Sequence, residues 1–162
     1  SGVNVFLRYF AFVAAAITFF NLVQLSRSVE RSGPGRGMSP AQCAQAKSVL
    51  RVWFGSIGAL LALTGVVQLV RGYPTFFFMF ASRPTDPAVI GLWVLMYLVW
   101  IALLVMLWRR GVPEVVARLG LVRGAQCSPS TLRMVLTAGM LINATVFALL
   151  LLGVWRMPPL PL

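Results

Sequence analysis

Four long apolar runs, each bounded by charged residues, alternate with polar or turn-forming stretches along the chain. The clearest run lies between Arg51 and Arg71, which are 20 residues apart with no charged residue between them. At ~1.5 Å per residue, a helix of that length spans about 30 Å, the thickness of the hydrocarbon core of a bilayer. The long Arg side chains at its two ends can reach the two headgroup layers. This run therefore predicts a membrane-spanning helix.

The same pattern predicts three more spans. The four predicted spans cover approximately residues 3–25, 49–71, 88–108 and 132–155. Ser39, Pro40 and Gln42 have the spacing of a capping box with Pro at the first helical position, and Gly72 and Pro74 provide a stop. The predicted fold is all-α: a single polytopic domain over residues 1–162, an integral membrane bundle of four transmembrane helices with short interfacial segments.

Two connections carry features that a plain loop would not. Residues 76–80 read Phe-Phe-Phe-Met-Phe, and five large apolar residues in succession do not belong in water. An interfacial segment, a re-entrant segment and a contact with a partner all remain open for this stretch. Residues 112–124 have the pattern of a short amphipathic helix, which predicts a segment that lies on the membrane surface.

Composition supports a membrane protein and indicates what it contacts. Hydrophobic residues make up 59% of the 162 residues and charged residues 10%, which is more apolar than a soluble domain of this size can hide. The net charge is +11, from 14 basic and 3 acidic residues. Because the basic residues cluster at the ends of the apolar runs, they predict anionic phospholipids as partners and not nucleic acid. The predicted headgroup contacts are Arg51, Arg109, Arg110, Arg118, Arg123 and Arg133.

The distribution of basic residues also predicts an orientation. With four spans, the two longer basic linkers share one side, which carries ten basic residues against four on the other. By the positive-inside rule these linkers face the cytoplasm, or the matrix of an organelle, and both termini lie on the opposite side. A bacterial inner membrane and an organelle membrane such as the mitochondrial inner membrane fit equally well.

Few residues in the chain could act in catalysis or bind a metal. There is no His, and the three acidic residues, Glu30, Asp86 and Glu114, all fall in predicted connections. The sequence therefore predicts a protein that is not an enzyme and has no cofactor and no metal site. Cys43 and Cys127 fall on the same predicted side, where inert thiols are favoured over a disulfide because that compartment is reducing.

Small residues mark a face for close helix packing. Spacings of three and four relate Gly55 to Gly58 and Ala59, and Ala62 to Gly58, Ala59 and Gly65, so these residues form a stripe on the second helix. The residues predicted to make helix-packing or partner contacts are Gly55, Gly58, Ala59, Ala62, Phe76, Phe77, Phe78 and Trp93.

These features favour a non-catalytic accessory or structural subunit of a larger multisubunit membrane complex, whose partners are other integral membrane subunits. An energy-converting assembly (respiratory, photosynthetic or ATP synthase) is the more specific expectation. Two alternatives remain. One is a small homo-oligomeric channel or carrier, for which the polar candidates are sparse: Ser56, Thr64, Gln68, Asn143 and Thr145. The other is a lipid-binding membrane scaffold.

Overall fold

The chain folds into helices, as predicted. The computed structural model of the protein describes residues 2–32, 37–75, 86–109, 112, 114 and 128–152. Its long helices are α1 (Gly2–Ser32), α2 (Pro40–Val70), α3 (Pro87–Trp108) and α4 (Pro129–Leu151). None of the described residues forms a β-strand. The prediction of an all-α bundle with membrane-spanning helices is confirmed.

Three of the helices have the length and the apolar composition that a bilayer requires. They are the segments Val5–Arg31, Pro40–Val70 and Pro87–Trp108. The chain is therefore a multi-pass membrane protein. The fourth helix forms where the fourth span was predicted, over 23 residues.

The two ends of α2 are fixed by local chemistry. At its start, the Ser39 hydroxyl accepts the backbone N–H of Gln42, and the Gln42 side chain accepts the backbone N–H of Ser39, so the predicted capping box is present. At its end, Gly72 adopts a left-handed φ of 73°, and the N–H groups of Gly72 and Tyr73 donate to the carbonyls of Leu69 and Gln68. This is the bonding pattern of a Schellman motif, which needs a residue that tolerates positive φ.

The first helix extends beyond the predicted span. Residues 26–32 lie beyond the first predicted span, which ends near residue 25, but the structure continues α1 through them to Ser32. The stretch contains no Pro or Gly to interrupt the helix before Gly33. Its last turns also contact α2: Val29 packs against Ala46 and Leu50. Helix α1 and its contact with α2 therefore extend beyond the apolar span that the sequence predicts.

Helices α1 and α2 form an antiparallel pair that makes the most extensive contact in the described bundle. Four residue pairs mark the seam: Arg8 with Gln68, Phe12 with Gly65, Phe19 with Gly58, and Glu30 with Lys47. The two residue numbers of each pair add to 76 or 77, so the register stays constant. From Arg8 to Glu30 the seam runs for about 33 Å, as long as a bilayer core is thick.

Phenylalanine rings fill the middle of this seam. A Cβ atom placed on Gly58 would lie 2.9 Å from the ring of Phe19, and one on Gly65 would lie 2.8 Å from the ring of Phe12. Both the two glycines and the two phenylalanines are seven residues apart, which is the repeat of knobs-into-holes packing. Each glycine therefore provides the space for one ring.

The remaining helices follow in an up-and-down order. Helix α3 packs on the end of α2, where buried Val89, Leu92 and Trp93 contact Val67 and Tyr73. Helix α4 runs antiparallel to α3, and the Tyr97 hydroxyl donates to the carbonyl of Ala144 at 2.9 Å. The starts of α1 and α3 and the ends of α2 and α4 consequently share one end of the bundle, called here the Asp86 end. The other end is called the basic end.

The glycine–phenylalanine contacts generate a prediction about stability. Replacing Gly58 by Ala puts a methyl group where the Phe19 ring lies, and overpacking of this kind costs about 1–3 kcal/mol. Gly55→Ala is the matched control, since no residue in the described part of the chain lies within 4 Å of its Cβ position. Both variants gain the same helix propensity, about 1 kcal/mol. We expect G58A to unfold at a lower temperature than G55A in detergent.

A double variant tests the cause. Shortening the ring with Phe19→Leu makes room for the new methyl group, so adding this change should cost G58A less than it costs the unaltered chain. Equal unfolding temperatures for G58A and G55A would show that the Phe19 contact does not constrain the helix pair.

Candidate functional site

The small-residue stripe of α2 is divided between two environments. Gly58 is buried beneath Phe19, within the α1–α2 seam. Ala59 is exposed, Ala62 is half-buried, and the Cβ position of Gly55 has no neighbour within 4 Å among the described residues. The stripe therefore contributes one edge to packing within the chain and leaves Gly55 and Ala59 on the outer surface.

Trp93 lies inside the bundle. It is 1% exposed and packs with Val89 and Leu92 against residues from α2, α3 and α4. Trp93 therefore packs between helices of this chain. Phe76, Phe77 and Phe78 lie outside the described residues, and so does the choice between an interfacial, a re-entrant and a partner-binding segment 76–80.

Gln68 is a polar residue whose side chain is fully buried. The other large side chains that are fully buried in the described structure belong to hydrophobic residues. Its Nε2 atom donates to the backbone carbonyl of Arg8 at 2.9 Å and, more weakly, to that of Tyr73 at 3.5 Å. Its Oε1 atom is enclosed and has no donor among the described residues. Because a bilayer offers no water to such an amide, the contact with Arg8 ties α1 to α2 near the Asp86 end.

Asp86 joins the end of α2 to the start of α3. One carboxylate oxygen accepts the Ala88 backbone N–H at 2.9 Å, which caps α3, and the same oxygen lies 2.7 Å from Nη2 of Arg71. The other oxygen accepts the Tyr73 hydroxyl at 3.1 Å. A carboxylate bonded on both oxygens is a fixed structural group. Sequence reasoning placed Asp86 in a connection and missed this role, although Asp followed by Pro is a helix-start signal.

The surroundings of Asp86 shift two pKa values in opposite directions. The hydrogen bond from Ala88, followed by those from Arg71 and Tyr73, holds the pKa of Asp86 below its ordinary value of 3.8, although burial acts the other way. Burial, followed by the hydrogen bond to the Asp86 carboxylate, raises the pKa of Tyr73 above 10.0. Both shifts favour the ionised carboxylate beside a neutral phenol at neutral pH.

The basic end carries most of the remaining charge. Glu30 and Lys47 form an ion pair at 2.6 Å across the α1–α2 hairpin, whereas Arg51 and Arg109 are exposed. Arg133 is half-buried, and its guanidinium carbon lies 5.6 Å from the centre of the Trp108 ring. Three further predicted headgroup contacts lie outside the described residues: Arg110, Arg118 and Arg123.

The described residues contain no cluster of three or more His, Cys, Asp or Glu side chains that could hold a metal ion. Cys43 is a half-buried free thiol that packs beside Ala46 and Leu50, and Cys127 lies outside the described part of the chain. The arrangement provides helix contacts and a basic surface. Comparison with protein-family models, with curated proteins and with solved structures finds no match to this chain.

The Asp86 contacts predict a pH dependence of stability. Because the folded pKa is lowered, the stabilisation is fully present above the ordinary value of 3.8 and is lost as the pH falls through the folded pKa. We expect Asp86→Asn to lower the unfolding temperature by several degrees at neutral pH. The gap between the unaltered chain and the variant should then close below about pH 4.

Glu114→Gln is the control for this titration, since Glu114 is an exposed carboxylate for which the same charge is removed. Unfolding temperatures measured in detergent from pH 3 to pH 8 should separate the two variants. A constant gap for D86N at every pH, or the same profile for E114Q, would contradict the assignment of the pH effect to the Asp86 contacts.

Proposed function

We propose that the protein is a non-catalytic structural subunit of a larger membrane complex. The observation that supports this proposal is that polar side chains in the described spans form hydrogen bonds within the chain. Gln68 and Tyr97 join neighbouring helices, and Thr64 donates to the carbonyl of Leu60 within its own helix. Two of these groups link helices and the third bonds to its own helix, so their hydrogen-bonding capacity is used within the chain rather than on a substrate.

A partner surface is left on α2. Gly55 and Ala59 share a face of the helix; no described residue lies within 4 Å of the Gly55 Cβ position, and Ala59 is exposed. Helices in lipid associate through close van der Waals packing, which small residues permit, because lipid chains are as apolar as the helix surfaces. The proposed occupant of this face is a helix of another subunit. The more specific suggestion, an energy-converting complex, rests on the composition of the chain.

The channel alternative receives less support. The polar residues considered for a pore are dispersed: Thr64 and Gln68 are buried in helix contacts, and the hydroxyls of Ser56 and Thr145 donate to the carbonyls of Val52 and Leu141. Hydroxyls bonded to their own helix do not need water. Solute flux through vesicles that contain this chain alone would nevertheless replace the subunit proposal with the channel.

The test is isolation from the native membrane in a mild detergent, followed by native electrophoresis and mass spectrometry. We expect the chain to migrate in an assembly with other membrane proteins. Migration alone or as a small homo-oligomer would contradict the proposal, and the identity of the co-migrating proteins would decide whether the complex is an energy-converting one.

A matched pair of substitutions tests the surface. Gly55→Leu should displace the partner and reduce co-migration several-fold, while the isolated chain should unfold at no lower temperature, because no described residue stands within 4 Å of the Gly55 Cβ position. Gly91→Leu on α3 is the control, an exposed helical glycine whose Cβ position is equally open. Full co-migration of G55L, or equal loss in G91L, would show that the partner does not bind at this face.

A further inference from the structure

A tryptophan and an arginine from two helices form a composite group at the basic end. The indole N–H of Trp108 donates to the Thr137 hydroxyl at 3.3 Å, which fixes the ring of α3 against α4. The guanidinium of Arg133, one turn before Thr137, lies over that ring at 5.6 Å from its centre. A guanidinium at this distance over an aromatic face is attracted to the ring electrostatically and keeps its charge.

Arg133 forms no ion pair with a carboxylate of the described residues. The two ion pairs found there join Glu30 with Lys47 and Asp86 with Arg71, and the third described carboxylate, Glu114, is exposed and belongs to neither pair. The Nε atom of Arg133 is enclosed and has no hydrogen-bond acceptor in that part of the chain. The residue as a whole is half-buried, and a cation that is partly removed from water without an ion-pair partner is stabilised by an anion beside its exposed part.

The surface beside this group is apolar. Ile101, Val105 and Trp108 follow at spacings of four and three on one face of α3, with exposed fractions of 55–56%. Met134, next to Arg133 on α4, is 71% exposed. Trp108 is the last residue of a candidate span, which places its ring at the depth of the lipid headgroups. A positive charge without an ion-pair partner therefore lies at headgroup depth, next to an apolar strip. This arrangement suits a ligand with an anionic head and an apolar tail.

We propose that Trp108 and Arg133 form a binding site for the phosphate group of an anionic phospholipid, with an acyl chain lying along Ile101 and Val105. Arg133 binds the phosphate oxygens, and Thr137 positions the ring on which the guanidinium rests. Exposed Arg109, which follows Trp108, adds positive charge at the same depth. The site does not depend on whether the protein is a subunit of a complex.

Native mass spectrometry of the purified chain with added lipid tests the site. We expect phosphatidylglycerol to be retained in preference to phosphatidylcholine. Arg133→Gln should weaken that retention about tenfold or more, the loss typical of a charge-assisted hydrogen bond. Arg133→Lys should give an intermediate result, because it keeps the charge but loses the planar stack. Trp108→Leu should also weaken binding while leaving Arg133 in place.

Arg31→Gln is the matched control: an exposed arginine at the same end of the bundle, with the same change of charge and no aromatic ring recorded beneath it in the described structure. It should retain phosphatidylglycerol as the unaltered chain does. An equal loss in R31Q would overturn the site in favour of diffuse charge attraction. Unchanged binding in both R133Q and W108L, or equal retention of phosphatidylcholine, would overturn it directly.

Two further arms identify the occupant. Soluble glycerophosphoglycerol should compete poorly, since it lacks acyl chains; equal competition would overturn the amphiphile assignment in favour of a free phosphate.

Mass spectrometry of the chain in its native assembly should show the lipid still bound. A crosslink from position 108 to an acidic segment of another protein, with no lipid retained, would overturn the lipid site in favour of a protein contact. Should R133Q fail to fold, R133K and W108L decide the outcome.

Discussion

The core of a bilayer contains no water, so a polar group that enters it is stabilised by a partner inside the protein. This constraint accounts for the few specific contacts between the helices. Gln68 donates to a carbonyl of α1, and Tyr97 donates to a carbonyl of α4. Each contact joins two helices at one point, and together they link α1 to α2 and α3 to α4. Between these points the helices contact one another through apolar surfaces of complementary shape.

The shape of these surfaces matters because the hydrophobic effect provides little driving force for helix association in lipid. A leucine side chain has about the same free energy against an acyl chain as against another helix. Complementary surfaces must therefore supply the contact energy through close packing. Along the α1–α2 seam, Phe12 and Phe19 provide bulk where Gly65 and Gly58 provide space. The constant register aligns both ring–glycine pairs at once, and it places the Gln68 amide and the Glu30–Lys47 ion pair at opposite ends of the same seam.

Features that depend on neighbours in the sequence were predictable. The capping box at Ser39, the stop at Gly72 and the start of α3 after Asp86 all follow from the chemistry of a few adjacent residues, and the apolar runs set the lengths of the spans. Features that depend on distant residues were not. Gly55 and Gly58 look alike in the sequence, yet only Gly58 meets a ring, because the register with α1 decides which glycine is covered. Likewise, nothing near Asp86 in the sequence indicates that Arg71 and Tyr73 would both reach it.

The α1–α2 seam has a consequence for biosynthesis. All of its contacts lie between residues 8 and 73, so the hairpin needs nothing from α3 or α4 to complete them. Contacts between elements adjacent in the chain form quickly, because little loop-closure entropy opposes them. Once α2 has left the ribosome, the first two helices can enter the bilayer as a paired unit with the Gln68 amide already bonded to Arg8. The later helices can then assemble on a surface that already exists in the membrane.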